Sequence, residues 1–144
     1  MQRVLGENYY HNRHSCFVLT YHMVLVTKYR HPVLEGEIKD YVYDMIEDIL
    51  MKHDCRMLAI DGEADHVHIL FEAGPGEALV TIANVIKTQT AKWARIKYAE
   101  QVEKYYGKPY FWSDSYFIST VSNTTRNTID RYIQKQGVST EETK

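Results

Sequence analysis

The chain has 144 residues, 44% of them hydrophobic and 25% charged, a balance that predicts one compact globular domain and excludes a disordered chain. No apolar run approaches the roughly 20 residues of a membrane-spanning helix, so an integral membrane protein is excluded as well. The formal charge of −2 conceals a segregation that net charge does not report: residues 1–31 sum to +3, residues 32–82 to −9 and residues 83–144 to +4. Phosphate binding depends on local clustering of cations, and this distribution permits a basic face opposed to an acidic one.

In chain order, residues 16–28 (CFVLTYHMVLVTK) are apolar and β-branched with partial alternation, which predicts a long strand. Residues 35–53 place Ile38, Val42, Ile46 and Leu50 four apart with acids between them, the pattern of an amphipathic helix with a solvated acidic face. Residues 56–62 and 67–73 read as two strands joined by a turn containing Gly62 and Asp65. Gly74-Pro75-Gly76 then breaks the chain. A second helix is expected over 77–98, with Leu79, Ile82, Ile86 and Trp93 on its inner stripe and Lys87, Thr88, Thr90, Lys92 and Arg95 on its other faces. Both tryptophans, Trp93 and Trp112, are expected in the core. Pro109 opens a strand-like segment over 110–121. Ser122 offers an N-cap and Gly137 a C-terminal stop for a last helix between them. The first six elements follow the ferredoxin-like, split βαβ order: an α+β fold with an antiparallel sheet and helices on one face. The seventh, 122–137, is an appended C-terminal helix within a single domain spanning 1–144.

The chemistry concentrates in Asp65-His66-Val67-His68-Ile69-Leu70. Side chains alternate along a strand, so His66 and His68 share one face while Val67, Ile69 and Phe71 share the other. Two histidines so placed present a divalent metal or form a polar surface pair, and spacing alone leaves both open. His22, within the first strand, reads as a satisfied core or sheet-face polar residue. His53-Asp54-Cys55 falls at a helix end, where a histidine suits the helix dipole and a cysteine packs as a small apolar group. It is therefore not taken as a site.

The arrangement of His66 and His68 resembles the His-hydrophobic-His (HUH) motif of enzymes that nick single-stranded nucleic acid with a tyrosine. The likeness extends to 21–34 (YHMVLVTKYRHPVL), 65–70 (DHVHIL) and 121–136 (VSNTTRNTIDRYIQKQ), which are similar to blocks of the single-tyrosine HUH transposases of the smallest insertion sequences. That resemblance implies that Tyr132 is the nucleophile and that His66, His68 and Gln136 hold Mg²⁺ or Mn²⁺. Positions 132 and 136 lie one helical turn apart, so the phenol and the amide would share a face. It implies cleavage and rejoining of single-stranded DNA at insertion-sequence ends through a 5′-phosphotyrosine, with recognition of a DNA hairpin. It also implies a homodimer with composite active sites. Neither a membrane nor a nucleotide cofactor enters that chemistry. A cytoplasmic setting is expected, with Cys16 and Cys55 reduced.

Residues expected at the DNA are Lys28 and Arg30, which bracket Tyr29; Lys87 and Lys92 on the second helix; Arg126 and Arg131 beside the nucleophile; and Arg13 with His14. Each of these is equally a plausible solvated or structural residue by sequence alone. Alternatives to an active transposase are a non-catalytic single-stranded nucleic-acid-binding module, a domesticated transposase, and a related HUH nicking enzyme.

Overall fold

The computed structural model describes residues 10–11, 16–74, 77–121 and 134. Strands β1 (Tyr10–His11) and β2 (Cys16–Phe17) form a small two-stranded sheet. The main sheet has four strands: β3 (Leu19–Val26), β4 (Arg56–Glu63), β5 (His66–Ala73) and β6 (Phe117–Thr120). Helices α1 (Gly36–Lys52) and α2 (Leu79–Lys97) are its two long crossovers, and a short α3 (Ala99–Glu103) follows α2. The sheet order is β4-β5-β3-β6 with every pair antiparallel. The ferredoxin-like α+β fold expected from the sequence is therefore present.

Its layers follow from periodicity. Along α1, Ile38, Val42, Ile46, Ile49 and Leu50 are buried, as the four-residue spacing requires. They meet Ile82, Ala83 and Ile86 of α2 and the inner sheet face, made by Met23 and Leu25 of β3 and Val67, Ile69 and Phe71 of β5. Both helices thus pack on one face of the sheet. The opposite face carries His22, Val24 and Val26 of β3, because directly paired residues share a face and Val24 pairs with His68 and Val26 with His66.

Several boundaries differ from the expectation. The predicted strand over 16–28 is interrupted at Val18: its first two residues pair with β1, and only Leu19–Val26 joins the main sheet. Lys28–Arg30 turns into a 3₁₀ helix, with Tyr29 at φ 59° and Arg30 at φ 55°. Gly62 lies inside β4 rather than in the turn, which is formed by Ala64 and Asp65. The segment expected as a strand over 110–121 is irregular until Phe117, apart from one bridge between Thr27 and Trp112. The helix over 77–98 begins later, at Leu79, and the chain resumes a helical turn as α3 after Tyr98.

Two packing expectations are corrected. Trp93 is 39% exposed rather than in the core, its indole N–H donating to Gln89 Oε1 across one helical turn. Thr90, assigned to an outer face, is fully buried: its hydroxyl donates to the Ile86 carbonyl and accepts from the indole of the buried Trp112. The segment 122–137 expected as an appended helix, with Tyr132, Gln136, Arg126 and Arg131, and the N-terminal Arg13 and His14 lie outside the described residues, Gln134 excepted.

Candidate active site

Strand β5, which carries His66 and His68, lies between β4 and β3 in the sheet. On β5, His66 and His68 point to the face away from the helices, with ring centroids 4.9 Å apart and planes nearly perpendicular. Both are almost completely buried, at 8% and 6% exposure. Beside them on β3, Val24 and Val26 are fully buried and pack with Phe117 in a small second core on the same face. Across β4, Asp61 pairs with His68 and Glu63 with His66, which puts two carboxylates on the same face. Gly62 between them is required: a Cβ there would collide with the His66 carbonyl and sit 2.9 Å from Val67 Cα.

The Nδ1 atom of each histidine is engaged. His66 Nδ1 lies 2.8 Å from Asp65 Oδ1, and His68 Nδ1 lies 3.1 Å from His22 Nε2. Asp65 is itself held through its other oxygen, which accepts from Arg30 Nε at 2.8 Å. Burial pushes the Asp65 carboxyl up. The hydrogen bonds from His66 and Arg30, with the charges behind them, outweigh burial and hold it below its ordinary value. Asp65 is consequently an anion at neutral pH, an acceptor that keeps the His66 proton on Nδ1.

This donor set suits a divalent metal. A metal-bound histidine typically uses one ring nitrogen while the other donates to a carboxylate or comparable acceptor. With both Nδ1 atoms occupied, a ligand role falls to Nε2 of His66 and of His68, and His68 Nε2 is a buried atom. Glu63, Asp65 and His66 also bring one donor atom each within 4.8 Å of one another. Both Asp65 oxygens already serve Arg30 and His66, so its role is to orient rather than to ligate. The two histidines supply imidazole nitrogens, which favour Mn²⁺ at least as much as Mg²⁺.

The turn after β3 sets the cations. Lys28 Nζ lies 4.9 Å from the Tyr110 ring centroid, 5.4 Å from that of Tyr29 and 3.6 Å from Asp114 Oδ1. Lys87 Nζ donates to the Asp114 carbonyl at 2.9 Å, so two of the expected DNA contacts converge on one loop residue. Burial lowers the Lys87 pKa, Asp114 opposes that shift, and Lys28 adds to it. Lys92 instead lies 5.0 Å from the Trp93 ring centroid, beside the cleft that Trp93 shares with Met45 and Ile49 of α1. Arg30, expected at DNA, has its Nε committed to Asp65.

Sequence reasoning found His66 and His68 by alternation, placed Asp65 in the turn and read His22 as a satisfied sheet-face polar residue, as the structure has it, but connected neither to the histidine pair. Asp65 stands next to His66, and its neighbouring position was the available signal. His22 could be connected to His68 only through the strand register, which no local pattern encodes. His53-Asp54-Cys55 closes α1 as expected, with the His53 ring 2.9 Å from the Ile49 carbonyl and Cys55 buried.

Residues 15–136 match the family described as Transposase IS200 like, and that span includes the four-stranded sheet, its helices and the whole site just described. The chain belongs to the IS200-like transposase family. It is 35% identical over 120 residues to the ISDra2 transposase TnpA of Deinococcus radiodurans, covering 83% of this chain and 85% of that protein. A crystal structure of a Deinococcus radiodurans R1 protein described as a transposase superimposes with a TM-score of 0.80 at 30% identity, over 88% of this chain and 97% of that one. A REP-associated tyrosine transposase solved with a REP hairpin shares the fold, with a TM-score of 0.55 at 12% identity over 86% of this chain and 68% of that one. Membership in this transposase family makes the protein a DNA-processing enzyme. None of the described helices is long and apolar enough to cross a membrane.

Proposed function

We propose that residues 1–144 form one transposase domain that cleaves and rejoins single-stranded DNA at insertion-sequence ends, with Tyr132 as nucleophile. The observation that carries this reading is the buried, same-face pair His66 and His68, each with its Nδ1 engaged, in a chain of this family. His66, His68 and Gln136 are the proposed ligands. A bound Mg²⁺ or Mn²⁺ would supply charge neutralisation at a non-bridging oxygen of the scissile phosphate.

Tyr132 Oη forms a bond to phosphorus and loses its proton, while the bond from phosphorus to the 3′-oxygen breaks and that oxygen gains a proton. The products are a 5′-phosphotyrosine and a free 3′-hydroxyl. A phenol with an ordinary pKa near 10 attacks as its oxygen is deprotonated, and the covalent linkage conserves the phosphodiester for a second transfer. A 3′-hydroxyl then attacks the phosphotyrosine, reforms the diester and returns the proton to Tyr132. No nucleotide is consumed. The substrate is a single strand recognised next to a hairpin, a reading supported by the hairpin bound to the REP-associated relative. The active form is a homodimer in which the helix over 122–137 of one subunit completes the site of the other, and the enzyme works in the cytoplasm.

The test incubates the protein with Mn²⁺ and labelled single-stranded, hairpin-bearing oligonucleotides and detects an SDS-resistant adduct. The expected adduct requires metal, a single strand and Tyr132, and is lost in Tyr132→Phe. An adduct that persists in Tyr132→Phe overturns the choice of nucleophile. Tight binding without an adduct, across substrates carrying the native element ends, favours a domesticated or purely binding protein.

A further inference from the structure

The two histidines of the HUH strand are held by partners of different kinds. Asp65, an anion, can only accept, so His66 keeps its proton on Nδ1 and its Nε2 lone pair is available to a ligand. His22 is an imidazole, which either donates or accepts. The 3.1 Å separation between His22 Nε2 and His68 Nδ1 serves both arrangements, and the rings lie 5.2 Å apart at 54°. In one arrangement His22 donates, His68 carries its single proton on Nε2, and that atom cannot bind a cation. In the other, His68 Nδ1–H donates to His22 Nε2, the proton of His22 sits on its own Nδ1, and His68 Nε2 presents a lone pair.

We propose that His22 is a positioning residue of the metal site: it accepts the His68 Nδ1 proton and thereby presents His68 Nε2 to the ion. This rests on the assignment of His66 and His68 as ligands. The register makes the contact a property of the fold. Val24 pairs with His68 and His22 with Leu70, so His22 reaches His68 along the diagonal of the sheet face from the neighbouring strand. The residues paired with the two rings on the flanking strands are polar, Ser119 with His22 and Asp61 with His68, while Val24, paired with His68 on β3, is fully buried. The site is then supported symmetrically, by Asp65 on one ligand and His22 on the other. Only the His22 arm can adopt two proton arrangements, and cation binding selects one of them.

The test titrates the full-length protein with Mn²⁺ by calorimetry, comparing wild type, His68→Ala, His22→Phe and His22→Gln. Phe keeps the ring shape and removes the acceptor, and Gln restores an acceptor oxygen at similar reach. The expected result is a loss of affinity of about 10–100-fold in His22→Phe, the usual effect of removing a ligand's hydrogen-bond partner, with His22→Gln close to wild type. Should His22→Phe fail to fold, ¹⁵N NMR of the wild type with Mg²⁺ bound decides instead, through the coupling across a hydrogen bond from His68 Nδ1–H to His22 Nε2. A measurable coupling supports the inference, and its absence with the ion bound overturns it. If His68→Ala loses Mn²⁺ while His22→Phe binds as tightly as wild type, the role of His22 is overturned and the metal site stands. If His68→Ala binds like wild type, the ligand assignment falls and the role of His22 falls with it.

Discussion

Single residues around the HUH strand carry more of the site than the two histidines alone. Asp65 connects Arg30 to His66 through both carboxylate oxygens, each bond 2.8 Å long. Asp65→Ala is expected to weaken Mn²⁺ binding by about 10–100-fold in calorimetry, because His66 loses the acceptor that fixes its tautomer. Unchanged affinity would make Asp65 a structural anchor for the turn and nothing more. Gly62 acts from the opposite strand. Its missing Cβ lets β4 lie against the His66 backbone, so Gly62→Ala forces β4 away or shifts β5. The expected cost is about 1–3 kcal/mol in denaturant unfolding, the usual range for overpacking. The sequence made His66 and His68 legible because a period of two needs no tertiary information. Asp65 was visible as the neighbour of His66, but His22 was illegible as a partner because a hydrogen bond between strands depends on register, and register emerges only when the whole sheet is assembled.

At the scale of elements, the informative segment is the turn that leaves β3. Two consecutive non-glycine residues with positive φ, Tyr29 and Arg30, cost of order 1–3 kcal/mol each and persist only where surrounding bonds fix them. Here Lys28 N–H donates to the Phe111 carbonyl, Thr27 Oγ1 donates to the His31 carbonyl, and Tyr106 Oη donates to the Lys28 carbonyl at 2.7 Å. Burial raises the Tyr106 pKa above its ordinary value near 10, with Tyr105 and Tyr29 adding to the shift and Thr27 opposing it. A pKa raised in the folded state adds stability that is complete below the unfolded value and fades as pH climbs from there toward the folded one. Wild-type stability is therefore expected to fall above pH ~10, measured by denaturant unfolding at a series of pH values. Tyr106→Phe should lower stability at pH 7 by about 0.5–1.5 kcal/mol, and that difference should shrink as the pH is raised above ~10. A difference between the two proteins that stays constant across this range would show that the phenol does not hold the turn. The sequence ended the strand at Lys28 but gave no sign of the turn beyond it, because Tyr29 and Arg30 do not advertise a left-handed backbone. The same limit applied to 110–116, whose aromatic run resembles a strand but whose residues are used instead as props: Trp112 fixes Thr90 of α2, and Phe111 receives the turn. The helices and central strands were legible because their apolar periods agree with their tertiary faces.

For the whole molecule, the charge segregation seen along the sequence becomes a division of surfaces. Helix α1 carries Glu37, Asp40, Asp44, Glu47 and Asp48, and Lys92 with Trp93 stands beside its cleft. Lys28 and Lys87 stand elsewhere, around Asp114 and the aromatic loop, and Lys28 belongs to the same turn whose Arg30 supports the histidine site through Asp65. Under the proposed function, a single strand reaching the histidine face would have a route over Lys28 and Lys87 and would be repelled from the acidic helix. Affinity for a single-stranded oligonucleotide should fall with rising salt, and each phosphate-contacting cation removed should lower the magnitude of the log–log slope by about 0.7. Lys28→Ala and Lys87→Ala are expected to show that decrement, and Lys92→Ala is expected to leave the slope unchanged. Asp114→Asn should tighten binding at low salt, since it removes the carboxylate facing Lys28 while preserving the carbonyl that receives Lys87. A slope change in Lys92→Ala equal to that in Lys87→Ala would route the DNA along the cleft between α1 and α2 and overturn this assignment of surfaces.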